Sequence, residues 1–301
     1  MKPWVLVDIS YMAHRARYAL GELSYQDAPT GVLFGFFEQL RTTCLDTRVR
    51  SSRVVFLFDS KQSFRKQTFP AYKAHRKDDM SEEDVEKLKI MYHQVHLLRQ
   101  DILPAIGFQV HRQTGCESDD LMAMAADSLQ GDRREAILIT ADGDLWQCIS
   151  QAVHWFDPAR KVYYDPETFL TKKGINPGQW ASVKALAGCN GDGVPGIPGV
   201  GEKTAIQHLL GTLPKHFKRA QALYSEEGKA IINRNLPLVK LPHHKTKPFE
   251  LRDPELKPDV FFGMAERYGL MSYLREPLLG QWREFFSLAI GPETRKRGSL
   301  I

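Results

Sequence analysis

Three short apolar runs are each followed closely by an acid: Val5-Leu6-Val7 before Asp8, Val54 to Phe58 before Asp59, and Ile137-Leu138-Ile139 a few residues before Asp142. Continuous aliphatic runs of this length, without polar alternation, predict strands of a parallel sheet covered on both faces. Between them the apolar spacing changes to three and four. Thr30 to Leu45 predicts one helix. Ser81-Glu82-Glu83-Asp84 resembles a capping box and opens another, along which Val85, Leu88, Met91, Val95, Leu98 and Ile102 share a face. Beyond about residue 165, Gly- and Pro-punctuated helical segments such as Pro177 to Ala187 and Thr204 to Leu210 replace the strand-like runs. The pattern predicts an α/β unit over residues 1–165 and a mainly helical region over 166–301.

Composition narrows the class. The chain has 301 residues, 43% hydrophobic and 26% charged, as expected of a globular protein with one large core. No run approaches the roughly 18 apolar residues of a membrane span, and the first ten residues lack a secretory pattern, so a cytoplasmic location is expected. Cys44, Cys116, Cys148 and Cys189 are scattered with no CxxC pair, which argues against a zinc ribbon or a disulfide framework.

A net charge of +5 and a pI near 8.9 favour a polyanionic partner. Distribution says more. Lys61, Arg65, Lys66, Lys73, Arg76 and Lys77 follow one another with no acid between, interleaved with Phe64, Phe69 and Tyr72. Such a run reads either as a solvated basic loop or as a surface for phosphates and bases. From Lys203 to Lys247 nine Lys or Arg stand against Glu226 and Glu227, and Arg295-Lys296-Arg297 form a basic tail.

In an open parallel sheet, ligands bind outside the carboxyl ends of the strands, where Asp8, Asp59, Asp142 and Asp144 fall. Glu117-Ser118-Asp119-Asp120 adds three carboxylates just before the apolar helix Leu121 to Leu129. So many carboxylates at one edge cannot all ionise without a compensating cation, and hard oxygen ligands select Mg²⁺ or Mn²⁺. Two ions about 3.5–4 Å apart would suit phosphodiester hydrolysis. Any one of these acids could instead be a helix cap; the joint pattern carries the metal reading. Gly193 to Ala205, with Gly196, Gly199, Gly201, Lys203 and Thr204, is a Gly-rich hairpin leading into a helix. It reads as a phosphate cradle or as a structural helix-to-helix turn.

The ordered set Asp8, Asp59, Tyr72-Lys73-Ala74-His75-Arg76, Glu117-Ser118-Asp119-Asp120, Thr140-Ala141-Asp142-Gly143-Asp144 and Asp192 with the hairpin resembles the flap endonucleases and the bacterial and phage 5′–3′ exonucleases over about residues 1–210. The resemblance implies a PIN-like α/β nuclease domain with a central, mainly parallel sheet and a helical arch over about 61–103. It also implies a helix-three-turn-helix element over about 180–210 that grips duplex DNA through a bound K⁺. It places Asp8, Asp59, Glu117, Asp119 and Asp120 at a first metal site, directly or through water, and Asp142, Asp144 and Asp192 at a second, with Asp119 shared. Lys73 and Arg76 would contact the scissile phosphate and Tyr72 would stack on a base; Lys61, Arg65 and Lys66 complete the basic surface. Cys189 departs from the pattern, because an acid usually stands there and a thiol is a poor ligand for Mg²⁺. It either weakens the second site or serves as small buried packing.

The expected function is therefore a monomeric, structure-specific 5′ nuclease acting on DNA with 5′ ends, flaps or nicks in replication or repair. A primer-removing nuclease acting on RNA–DNA hybrids and a non-catalytic binder of branched DNA are the alternatives.

Overall fold

A strand buried on both faces needs apolar side chains pointing both ways, and every residue of Trp4–Asp8, Val54–Leu57 and Ala136–Ile139 is buried. The computed structural model describes residues 2–77 and 80–289, and of Arg76 and Lys77 the backbone alone. Its strands in chain order are β1 (Trp4–Asp8), β2 (Ser24–Tyr25), β3 (Ala28–Pro29), β4 (Val54–Leu57), β5 (Gln109–His111), β6 (Ala136–Ile139), β7 (Val153–Asp157), β8 (Val162–Tyr164), β9 (Gly188–Cys189) and β10 (Val194–Pro195). The α-helices are α1 (Ile9–Leu20), α2 (Gly31–Leu45), α3 (Phe64–Thr68), α4 (Glu82–Leu97), α5 (Leu103–Ile106), α6 (Ser118–Gly131), α7 (Pro166–Lys173), α8 (Trp180–Ala187), α9 (Glu202–Leu209), α10 (Lys218–Tyr224), α11 (Glu226–Val239), α12 (Pro258–Arg267) and α13 (Leu278–Ser287).

The main sheet has the order β5-β4-β1-β6-β7-β8 and is parallel except for β8, which runs antiparallel to β7. In register, Val5 lies between Val54 and Ile137. Because the chain leaves β1 toward β4 on one side and returns to β6 on the other, the crevice of this sheet opens at the carboxyl ends of β1 and β6.

Alternation along β1 divides the core. Val5 and Val7 pack with Phe36, Phe37, Phe261, Trp282 and Phe285, so α12 and α13 at the chain's far end close over α2. Trp4 and Leu6 face Leu121, Met122, Trp180 and Val183 of α6 and α8. Both cores cross the boundary expected at 165/166. Burying each such side chain stabilises by roughly 1.5–3 kcal/mol, which makes the sheet rigid right up to its acid-bearing ends.

The helix opened by Ser81 forms, with the Ser81 hydroxyl accepting from Asp84 N at 3.1 Å. Its apolar face is shorter than its periodicity implies: Met91 is buried against α1 and α2, whereas Val85 is 40% exposed. Arg295-Lys296-Arg297 and Asp78-Asp79 lie outside the described residues.

Candidate metal centre

Each acid reaches the crevice because the chain turns there. Asp8 ends β1 and caps α1, accepting from Ser10 N at 3.0 Å. Its carboxylate also accepts from Ser118 Oγ at 3.2 Å and Thr140 Oγ1 at 3.4 Å. Asp59, two residues beyond β4, accepts from Ser118 N at 2.8 Å and from the Ser10 hydroxyl. The same two serines thus bridge the two aspartates using neutral donors, which leave both negative charges in place. Asp142 caps the turn after β6, accepting from Asp144 N at 2.7 Å.

The electrostatics show crowding. Burial, and after it the charges of Asp59 and Asp142, push the Asp8 carboxyl up to about 7. Burial and Asp144 raise Asp142 to about 6 although its side chain still reaches solvent. Burial, Asp142 and Asp8 hold Asp119 well above the usual carboxylate range, and its buried Oδ1 accepts no hydrogen bond. A buried carboxylate oxygen without a donor fits a cation ligand. Among the described residues, the one set of three candidate ligand atoms mutually within 4.8 Å is Asp144, Cys189 and Asp192.

Lys73 enters this acidic edge from the basic run. Its backbone is left-handed, with φ of 53°, a strained state held by a 2.8 Å bond from its N–H to Asp192 O. The ammonium lies 2.7 Å from Glu117 Oε2 and 3.9 Å from Asp192 Oδ1. Burial disfavours its charge, but Glu117, Asp192 and Asp119 outweigh burial and raise its pKa.

Three expected roles need correction. Arg65 is 2% exposed and cannot present its guanidinium to a phosphate; it makes a bidentate pair with Asp120, both bonds 2.7 Å. Asp120 is wholly buried, and its two oxygens also accept Glu117 N and His243 N, so it organises the helix terminus and leaves no open oxygen for a metal. Burial pushes its carboxyl up, yet Arg65 prevails and the net shift is down. Tyr72 is 3% exposed, with its hydroxyl donating to Glu117 Oε2 at 3.0 Å, so in this conformation it offers no face to a base.

The Gly-rich segment from Gly193 opens with β10, which pairs antiparallel with β9, and runs on into α9. A side chain at Gly196 would overlap the Ala187 carbonyl, so close packing of α8 explains that glycine. Thr204 is buried, whereas Gly199, Gly201 and Lys203 are exposed, as are Lys61 and Lys66. The side chain of Arg76 lies outside the described residues.

Sequence reasoning missed Lys184. Its ammonium lies 2.7 Å from Asp144 Oδ1 and 3.9 Å from Cys189 Sγ, and the Cys189 thiol is 3.8 Å from Asp144 Oδ2. Asp144 raises the Lys184 pKa against the effect of burial, while burial and Asp144 push the Cys189 thiol up to about 12. The available signal was that Lys184 is the one charged residue in the apolar α8.

The fold is an α/β fold whose main sheet, parallel but for β8, gathers clustered carboxylates and Lys73 at its switch point. More narrowly, this chain belongs to the 5′–3′ exonuclease family, whose N-terminal resolvase-like domain matches residues 3–174. It is 29% identical to the thermostable DNA polymerase I of Thermus thermophilus over 96% of this chain and 34% of that protein, so it spans about a third of that relative's length. Its fold is similar to that of the 5′-exonuclease of T5 solved with zinc ions, with a TM-score of 0.67, 19% identity, and 96% and 100% of the two chains covered. It is also similar to human GEN1 in complex with Holliday junction DNA, with a TM-score of 0.58, 15% identity, and 99% and 75% covered. No helix among the described residues is long and apolar enough to cross a membrane.

Proposed function

We propose that this chain is a structure-specific 5′ nuclease that hydrolyses phosphodiester bonds in DNA bearing 5′ ends, flaps or nicks, working as a monomer in replication or repair. The observation that carries the reading is the meeting of Asp8, Asp59, Asp119 and Asp142 with Lys73 at the switch point of one sheet. Asp8, Asp59, Glu117 and Asp119 would hold a first Mg²⁺ or Mn²⁺ ion, and Asp142, Asp144 and Asp192 a second, more weakly held one beside Cys189 and Lys184. Divalent ions in such a site lower the pKa of bound water and offset charge on phosphoryl oxygens.

The protein's own groups supply the rest. Lys73, fixed by Glu117, offers a half-buried positive charge to a phosphoryl group, where a preorganised cation favours the transition state over the ground state. Arg76 assists from the same segment. Exposed Lys61, Lys66 and Lys203 draw the phosphate backbone in, and the turn at Gly199 to Gly201 is where a K⁺ ion would join the helix-hairpin-helix backbone to the duplex.

A cleavage assay tests this with a 5′ flap, a nicked duplex and a blunt duplex, each with Mg²⁺, Mn²⁺ or EDTA. Metal-dependent cutting, strongest on the flap or nick, is expected. Failure to cut any of the three with either metal overturns the reading.

A further inference from the structure

Helix α11 touches both the hairpin and the metal centre. Near its carboxyl end, the buried Asn235 donates from Nδ2 to Ala185 O at 2.9 Å and to Pro195 O at 3.0 Å, tying α8 and β10 to the helix. Immediately beyond, the carbonyls left without helical partners are taken by residues from the nuclease side. Arg65 Nε donates to Leu238 O at 2.8 Å, and Gln147 Nε2 donates to Val239 O at 3.0 Å. Both donors lead to the acids. Arg65 grips Asp120, which accepts Glu117 N at 3.0 Å, and Gln147 Nε2 also donates to Asp144 O at 2.7 Å. From Pro195 in the hairpin to Glu117 and Asp144 the path is thus one helix end and a chain of hydrogen bonds, much of it buried.

We infer that Asn235 and Arg65 are positioning residues which, through the end of α11, hold the duplex-gripping hairpin in fixed register with the metal centre and so set which phosphodiester is cut. The inference rests on the nuclease reading above. Its physical basis is scale: successive phosphates along one strand are about 3.4 Å apart in duplex rise, so slack of a few ångströms between grip and metal moves the cut by about one nucleotide. Misplacement by about 1 Å is already enough to slow a reaction by about 10²-fold. Neither residue holds a metal or faces the substrate, so a change in cut position would report register alone.

The test maps cleavage of a 3′-labelled 5′-flap substrate at single-nucleotide resolution, with Mg²⁺, for the full chain and for Asn235→Ala, Arg65→Lys and Gln147→Ala. Arg65→Lys keeps the charge facing Asp120 while removing the bond to Leu238 O, and Gln147 is half-exposed, so these two keep the test open if Asn235→Ala does not fold. One dominant cut is expected for the unaltered chain. In folded variants a second product one nucleotide away should rise severalfold and the single-turnover rate should fall by roughly 10-fold or more. Unchanged cut positions in every folded variant overturn the inference while leaving the nuclease reading intact. No cutting by the unaltered chain overturns that reading and this inference with it.

Discussion

The two halves of the acidic edge solve the same problem in different ways. Around Asp8 and Asp59 the carboxylates are served by serine and threonine hydroxyls and backbone N–H groups, and burial, followed by the charges of neighbouring acids, raises the Asp8 and Asp119 carboxyls. Around Asp144, Cys189 and Asp192 three ligand atoms lie within 4.8 Å of one another, but one of them is a thiol and Lys184 already neutralises Asp144. The first half stores an unmet demand for cations; the second meets part of that demand from within. Metal dependence should therefore be steep and indispensable at the first half and graded at the second.

The largest effect that comparison predicts is at its uncompensated half. Asp119→Asn removes a proposed ligand whose buried Oδ1 accepts no hydrogen bond, and Mg²⁺-dependent cleavage should fall by several orders of magnitude while flap affinity stays within severalfold. Single-turnover rates together with a binding titration check this, and near-normal turnover would remove Asp119 from the site. Lys73→Ala comes next. A preorganised cation that acts mainly in the transition state should, when lost, slow the single-turnover step on the order of 10²-fold with little loss of binding. A change confined to the dissociation constant would make Lys73 an ordinary backbone contact.

The repulsion in the first half also has a stability signature. The folded Asp8 carboxyl, near 7, holds its proton more tightly than an unfolded aspartate near 3.8, so ionising it costs stability as pH rises between those values. At pH 5, above the unfolded value and below the folded one, part of this cost has already accrued, so in EDTA Asp8→Asn should hold only a small advantage over the unaltered chain. At pH 8 the variant should be the more stable by on the order of 1 kcal/mol, and saturating Mg²⁺ should reduce or reverse that advantage. Urea midpoints at both pH values measure it; an advantage equal at pH 5 and pH 8 would mean that Asp8 carries no repulsion.

How much of this was legible in sequence follows burial. β1, β4 and β6 could be read because their residues are uniformly apolar and covered on both faces, and the acids after them could be read because the strands aim them. β5 and β8, half-buried throughout at or near the sheet's edges, carry Gln109, His111 and two tyrosines, and β7 begins Val-His; such mixed runs become strands only when non-local pairing completes them. The basic run misled for a related reason. Which of Lys61, Arg65 and Lys66 turns inward depends on Asp120, 55 residues further along, and nothing local distinguishes Arg65 from its neighbours. Cys189 stood out in the sequence, but Lys184 could not, because its pairing with Asp144 requires α8 to be folded against the turn that carries Asp144.

The smallest predicted effect, and the one that divides the two halves most finely, is at Cys189. Its thiol is protonated at neutral pH and points at Asp144 from 3.8 Å, so it lies within the second cluster as well as packing beside Tyr72 and Val194. Replacing it with aspartate adds a hard oxygen donor where Lys184 now balances Asp144. Cys189→Asp should therefore lower the Mg²⁺ concentration needed for half-maximal cleavage severalfold and narrow any advantage of Mn²⁺, which accepts softer and less regular ligand sets. The rate at saturating metal should change little, because the substitution leaves Asp8, Asp59, Asp119 and Lys73 in place. Paired Mg²⁺ and Mn²⁺ titrations decide the matter. Superimposable curves for the two proteins would mean that Lys184 and bound water already complete the second half, and that Cys189 serves only to pack the hairpin.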